Sequence, residues 1–247
     1  MHKTWAFAIR NGKEILRDPL SYIFCLGFPL VMLVIMTLVD RSIPKEVGMT
    51  IFHIENLAGG IMAFGQTFVM LFTAISVAKD RSGAFLLRMY ATPMQAKDFV
   101  AGYCLPMAVI ALVQGVLIGA CSLLVSALTG GNLKLSGVLL SLPVLVPSAV
   151  LFIGFGLLFG TLVNEKAAPG LCSIVISLGS FLGSIWFDAE GTGGVLLDIS
   201  RCLPFHYCTK SVRAAMQLRL SGDGFLWPLV IVCACAAALM GISALVF

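Results

Sequence analysis

Charge is what this sequence has least of. Asp, Glu, Lys and Arg make up 11% of its 247 residues, whereas a soluble domain carries about 25% because its surface must be hydrated. Apolar residues reach 59%, and mean hydropathy is +1.01. A chain so poor in charge cannot clothe a water-soluble globule, so its outside faces lipid. The few charges lie between the apolar runs and none lies within them.

Other absences exclude chemistries. Without a block of five or more Lys/Arg there is no footprint for nucleic acid. No Cys-x-x-Cys pair with zinc spacing occurs among the 8 Cys. Cys25, Cys104, Cys121, Cys172, Cys233 and Cys235 fall in apolar runs and read as small hydrophobes. Cys202 and Cys208 lie in a segment placed outside, where two unpaired thiols are expected and a disulfide is the alternative. An ion-coupled carrier needs ionisable groups at membrane depth, and a membrane metalloprotease or serine protease needs His, Lys or carboxylate there. The runs hold none. No G-x-x-x-x-G-K-[ST] phosphate loop is present, so energy for any driven process comes from another polypeptide.

What is present is a series of runs near the 20 or so residues needed to cross a bilayer: 20–39, 57–78, 99–128, 137–162, 167–186 and 225–247. The expected fold is an all-α polytopic membrane protein, one transmembrane domain over 1–247 with six spans. The third and fourth runs exceed the core's thickness, which predicts tilt or protrusion, and Pro106, Pro143 and Pro147 predict kinks. The first run is long enough to stay as an anchor, with no small-residue cleavage site after it. Across the short loops Lys and Arg favour an N-terminus inside, and six crossings then bring the C-terminus to the same side.

Four connecting segments carry information. Residues 1–19 predict a basic amphipathic helix lying in the membrane interface, with Arg10, Lys13 and Arg17 on one side and Trp5, Ala8, Ile9, Ile15 and Leu16 on the other; Phe7 breaks the pattern. Its basic face suits anionic headgroups or a protein partner equally. Asp18-Pro19 reads as a cap and first-turn proline opening the first span. Residues 79–98 form a cytoplasmic elbow, with a short helix over 84–90 stopped at Thr92-Pro93 and a new helix opened by a Thr92-x-x-Gln95 capping box. Asn164-Glu165-Lys166 is a tight cytoplasmic turn. Residues 187–223 make an outer segment too apolar for a linker, with 199–205 dipping toward the membrane and a helix over 209–220 carrying Lys210, Arg213 and Gln217 on one face. Within the spans Gln66 and Gln114 are the candidates for lining a pathway, since a primary amide in lipid is costly without a partner.

The segment Lys79-Asp80-Arg81-Ser82-Gly83-Ala84-Phe85-Leu86-Leu87-Arg88-Met89-Tyr90-Ala91-Thr92-Pro93 resembles the acidic-Arg-x-Gly…Leu…Thr-Pro signature of type-2 ABC exporter permeases. Arg17-Asp18-Pro19, Gly102-Tyr103…Pro106 and Leu203-Pro204-Phe205…Arg213 agree with that family in order and spacing. Two departures are Asp80, where Glu is frequent, and Asp188 after Trp186-Phe187, where Pro is frequent. The resemblance implies a transport subunit that is not itself an enzyme, working in a prokaryotic plasma membrane with a second copy of itself or a similar permease. It implies separate ATPase subunits below that bind the ATP and Mg, this chain holding no cofactor or metal. Asp80, Arg81, Ser82, Gly83, Phe85, Leu86, Arg88, Tyr90, Thr92 and Pro93 would form the coupling helix seated in the ATPase, flanked by Trp5, Arg10, Lys13 and Arg17, with a lesser contact at Glu165-Lys166. Phe205, Lys210 and Arg213 would form an outer gate or lid. Family cargoes include drugs, peptides, lipids and polysaccharides, and the uncharged spans favour an amphipathic or lipid-like one. The alternatives are a membrane-embedded enzyme, for which His206 beside Arg201 and Tyr207 is the sole cluster, and a passive channel.

Overall fold

The computed structural model describes residues 2–44, 50–83, 85, 91, 94–222 and 224–246. Among these every regular element is helical. Helix α1, His2–Leu16, is followed by Asp18, whose carboxylate accepts from the Leu20 amide at 3.1 Å and the Ser21 hydroxyl at 2.8 Å. That cap and Pro19 open α2, Pro19–Ser42, which includes a π-helical turn at Ile23–Gly27. Then follow α3 (Ile54–Ser82), α4 (Ala96–Thr129) and α5 (Leu135–Leu162), with α4 ended by Gly130 in the left-handed region at φ 73°. Pro106 lies inside α4, and Pro143 and Pro147 inside α5.

Helices α2, α3, α4, α5 and the last helix, α10 (Leu226–Val246), are long and apolar enough to cross a membrane. The fifth expected run behaves differently. It forms α6, Ala168–Leu182, of 15 residues, which rises about 22 Å against a core of about 30 Å. Three helices fill the segment over 187–223 that was expected outside: α7 (Ala189–Thr192), α8 (Gly194–Arg201) and α9 (Pro204–Met216). Asp188 caps α7 by accepting from the Gly191 amide at 3.0 Å. The outer helix expected over 209–220 thus starts five residues earlier, because Pro204 supplies a preset first turn, and it stops at Met216.

Helix α3 is the axis of the bundle. Its apolar stretch is 83% buried, against 17% for α2 and for α10, whose flanks are left exposed by the rest of the bundle. The most extensive packing is α3 on α5. There Gly156 and Gly160, one turn apart, face Met70, Thr73, Ala74 and Val77, and a methyl group on Gly156 would stand 2.6 Å from Thr73 Cβ. Small residues four apart let helix backbones approach where lipid supplies no hydrophobic drive.

Candidate functional site

At one end of α3 the chain builds a junction of three helices. Asp80, 5% exposed, accepts two hydrogen bonds from the Arg10 guanidinium of α1, at 2.6 and 2.9 Å. It takes a third from the Tyr103 hydroxyl of α4, at 2.7 Å. Glu14 joins Arg10 at 2.8 Å and Lys79 at 2.9 Å. Burial pulls the Arg10 guanidinium down, but the bond and charge of Asp80, with Glu14, outweigh it and hold Arg10 above its ordinary value.

The apolar half of the junction is Phe7. Its ring is 5.1 Å from Tyr103 and 5.8 Å from Phe99, both edge-on, and stacks at 6.3 Å on Phe85. Arg10 Cζ lies 4.1 Å over the Phe85 ring. The residue that broke the amphipathic pattern is the one that docks the helix. Phe7, Ala8, Asn11 and Ile15 face protein, and Asn11 donates to the Gly102 carbonyl at 3.1 Å, whereas Trp5, Ile9 and Leu16 stay exposed. The single apolar face expected for α1 is therefore two faces, because the helix has both a protein and an outer environment to satisfy.

Asp80 and Arg10 are thus turned inward and hold helices together. Arg81, Ser82 and Gly83 are exposed, and Phe85 is half-buried. Arg81 donates to the Val163 carbonyl at 3.2 Å and Ser82 to Glu165 at 3.2 Å, which seats the 163–166 turn against the end of α3. Leu86, Arg88, Tyr90, Thr92 and Pro93 lie outside the described residues. The capping box of α4 stands three residues further on than the expected Thr92-x-x-Gln95: Gln95 is the N-cap, and Asp98 accepts from the Gln95 amide at 3.0 Å. Asp98 also accepts from Thr4 at 2.6 Å, so the protruding end of α4 is tied to α1.

Gln66 and Gln114, expected to line a pathway, are enclosed within the bundle. Both are fully buried, with Gln66 Nε2 donating to Gln114 Oε1 at 3.3 Å and Gln114 Nε2 donating to the Cys25 carbonyl in the π-helical turn of α2, while Gln66 Oε1 has no partner among the described residues. Each amide costs less partnered inside the bundle than facing a cavity or lipid.

At the opposite end of α3, helix α9 forms a cap. Arg213 runs along Gly59 and Gly60, where added methyl groups would stand 2.9 Å from its Cγ and 2.8 Å from its Nη2. Its guanidinium donates to the carbonyls of Asn56 at 2.9 Å, Ser184 at 2.7 Å and Ile185 at 3.4 Å. Burial lowers it to about 10, so it stays a cation at neutral pH. Lys210 pairs with Glu190, and Gln217 with Asn56. His206 Nδ1 is 3.1 Å from Ser184 Oγ and its Nε2 is 3.8 Å from Glu190. Lys210, Arg213 and Gln217, expected on one face, line one cavity of about 390 Å³. Phe205 instead points into the core, stacking 5.6 Å from Phe152, so it is packing for the cap and not its outer surface. Cys202 is exposed and Cys208 buried, both free.

Some of these partners have no signal in the sequence. Glu190, Asn56 and Ser184 are isolated polar residues, and only the fold collects them. Gly156-x-x-x-Gly160, by contrast, carries a sequence signal that was not among the expectations above, small residues four apart on an apolar helix.

A bundle of long apolar helices with its charged clusters confined to the two ends defines a multi-pass membrane protein. Residues 2–217 match the family model described as ABC-2 type transporter. The chain belongs to that family and is a membrane-spanning permease subunit of an ABC transporter. No curated protein matches it.

Proposed function

We propose that this permease is one half of an exporter in a prokaryotic plasma membrane, its termini cytoplasmic. A second copy or a similar permease completes it, and a separate ATPase dimer grips the elbow over residues 79–98. The observation that carries the reading is the Arg10–Asp80–Tyr103 junction. It fastens α1, α3 and α4 together where the elbow begins, so a push delivered there moves three helices as one lever. The chain's own spans offer no ionisable group for an ion gradient to drive. The lack of charge along the spans fits an amphipathic or lipid-like cargo, since a charged polymer would require a polar lining.

Co-purification tests this. The detergent-extracted permease brings down an ATPase whose hydrolysis depends on it, and Gly83→Pro or Phe85→Ala removes that dependence while the complex still forms. A single thiol from Ser82→Cys in a cysteine-free chain is shielded on intact cells and labelled after permeabilisation. Labelling from outside places the elbow on the wrong side for an ATPase and ends the proposal.

A further inference from the structure

The side of α1 turned away from the bundle combines two features on one strip. Trp5, Ile9 and Leu16 are 62%, 42% and 63% exposed, far too much apolar surface to leave in water. Beside them Lys13 and Arg17, one helical turn apart, are exposed and form no ion pair among the described residues. They open onto a groove of about 740 Å³ between α1, the Asp18-Pro19 turn and Lys79 at the end of α3. Its four cations, Arg10, Lys13, Arg17 and Lys79, outnumber its acids, Glu14 and Asp18. Glu14 is committed to Arg10 and Lys79, and Asp18 to the cap of α2. What remains free is positive charge bordered by greasy side chains.

We infer that this groove holds the phosphate of an anionic phospholipid from the adjoining leaflet, with Lys13 and Arg17 on the phosphate and Trp5, Ile9 and Leu16 along the upper acyl chains. An acidic protein surface would satisfy the two cations but leave the adjacent apolar strip uncovered. A phospholipid satisfies both at once. Beside a membrane surface each cation contributes about 1 kcal/mol, or about fivefold, toward an anionic lipid. Because Arg10 and Glu14 on the same helix grip Asp80 and Lys79, the lipid also braces the lever at the elbow.

The test uses the full chain, with Trp186→Phe and Trp227→Phe leaving Trp5 as sole reporter, in phosphatidylcholine vesicles containing brominated lipid. Brominated phosphatidylglycerol quenches Trp5 as if enriched at least fivefold over brominated phosphatidylcholine at the same mole fraction. K13Q/R17Q abolishes the preference and K13R/R17K keeps it. Retention of phosphatidylglycerol on the otherwise unaltered chain, read by native mass spectrometry with and without K13Q/R17Q, gives the same answer should the tryptophan changes disturb folding. Equal quenching by the two lipids, or a preference that survives K13Q/R17Q, overturns the inference. Relief of quenching by millimolar inorganic phosphate also overturns it, by assigning the groove to a free anion. No ATPase enters the measurement, so its failure and that of the exporter reading are separable.

Discussion

The Arg10 guanidinium closes on the Asp80 carboxylate through two hydrogen bonds across 70 residues of sequence, and the two partners are unequally dependent on the pair. Arg10 is part-exposed and keeps Glu14 at 2.8 Å when Asp80 is removed. Asp80 is buried and, among the described residues, keeps only the Tyr103 hydroxyl as a hydrogen-bond partner when Arg10 is removed. Breaking a buried pair costs most when it strands a charge. Arg10→Ala therefore lowers stability by about 2–4 kcal/mol and Asp80→Ala by about 1 kcal/mol. The double variant falls short of their sum, as read from thermal unfolding in detergent. Equal losses contradict the asymmetry.

Gly156 tests the contact of α3 with α5. A methyl group there meets the Met70 carbonyl and Thr73, which are backbone and a stiff β-branched side chain. Gly156→Ala costs about 1–3 kcal/mol of stability through overpacking. Gly170→Ala, with nothing within 4 Å, is neutral or raises stability by up to about 1 kcal/mol. The two melting temperatures move in opposite directions or by clearly different amounts.

The buried amide pair yields to a double-mutant cycle. Gln114→Leu removes the acceptor of Gln66 Nε2, leaving that nitrogen the Met62 carbonyl at 3.4 Å. The single change costs about 1–2 kcal/mol, and adding Gln66→Leu recovers part of it because no amide is then left half-satisfied. Cargo selectivity is unchanged in the double variant, since neither side chain reaches a cavity surface.

Acid loosens the α9 cap. Burial holds the His206 imidazole below its ordinary value of 6.5, so below pH 6.5 the unfolded chain takes up a proton more readily than the folded one. Stability from neutral His206 is present above pH 6.5 and is lost as pH falls. The Lys210 bond holds Glu190 below its ordinary 4.5, so its share is lost lower still. The melting temperature drops between pH 7.5 and 5.5, and His206→Gln flattens that slope while leaving the fall below pH 4.5.

Arg213 pins the cap, and a thiol reports on it. Cys208 is 1% exposed and burial pushes it up to about 12, so it resists alkylation. In a chain with Cys208 as sole cysteine, Arg213→Ala raises the maleimide labelling rate roughly tenfold by local opening. Arg213→Lys raises it as well, since an ammonium on a single stem cannot reach three carbonyls that a planar fork spans.

Legibility in the sequence followed the range of the interaction. Asp18-Pro19 was readable as a helix start because the cap bonds two and three residues away. The apolar runs were readable because lipid acts on every residue independently. Phe7 was not, because its fit in the crevice of Phe99, Tyr103 and Gly102 depends on residues some ninety positions on. Gln66 and Gln114 stood out in the sequence as costly polar groups, but periodicity could not show that Gln66 would donate to Gln114 and Gln114 to the Cys25 carbonyl.

By itself the sequence determined that this is an all-α membrane protein with its charge at the ends of its helices, because composition and run length state the solvent and helix geometry converts residues into thickness. Tertiary structure alone decided that Asp80 belongs to Arg10, that Arg213 rests on three carbonyls, and that the fifth run stops after 15 helical residues. Those outcomes depend on which surfaces meet, and a pattern that repeats along one helix carries no record of its neighbour.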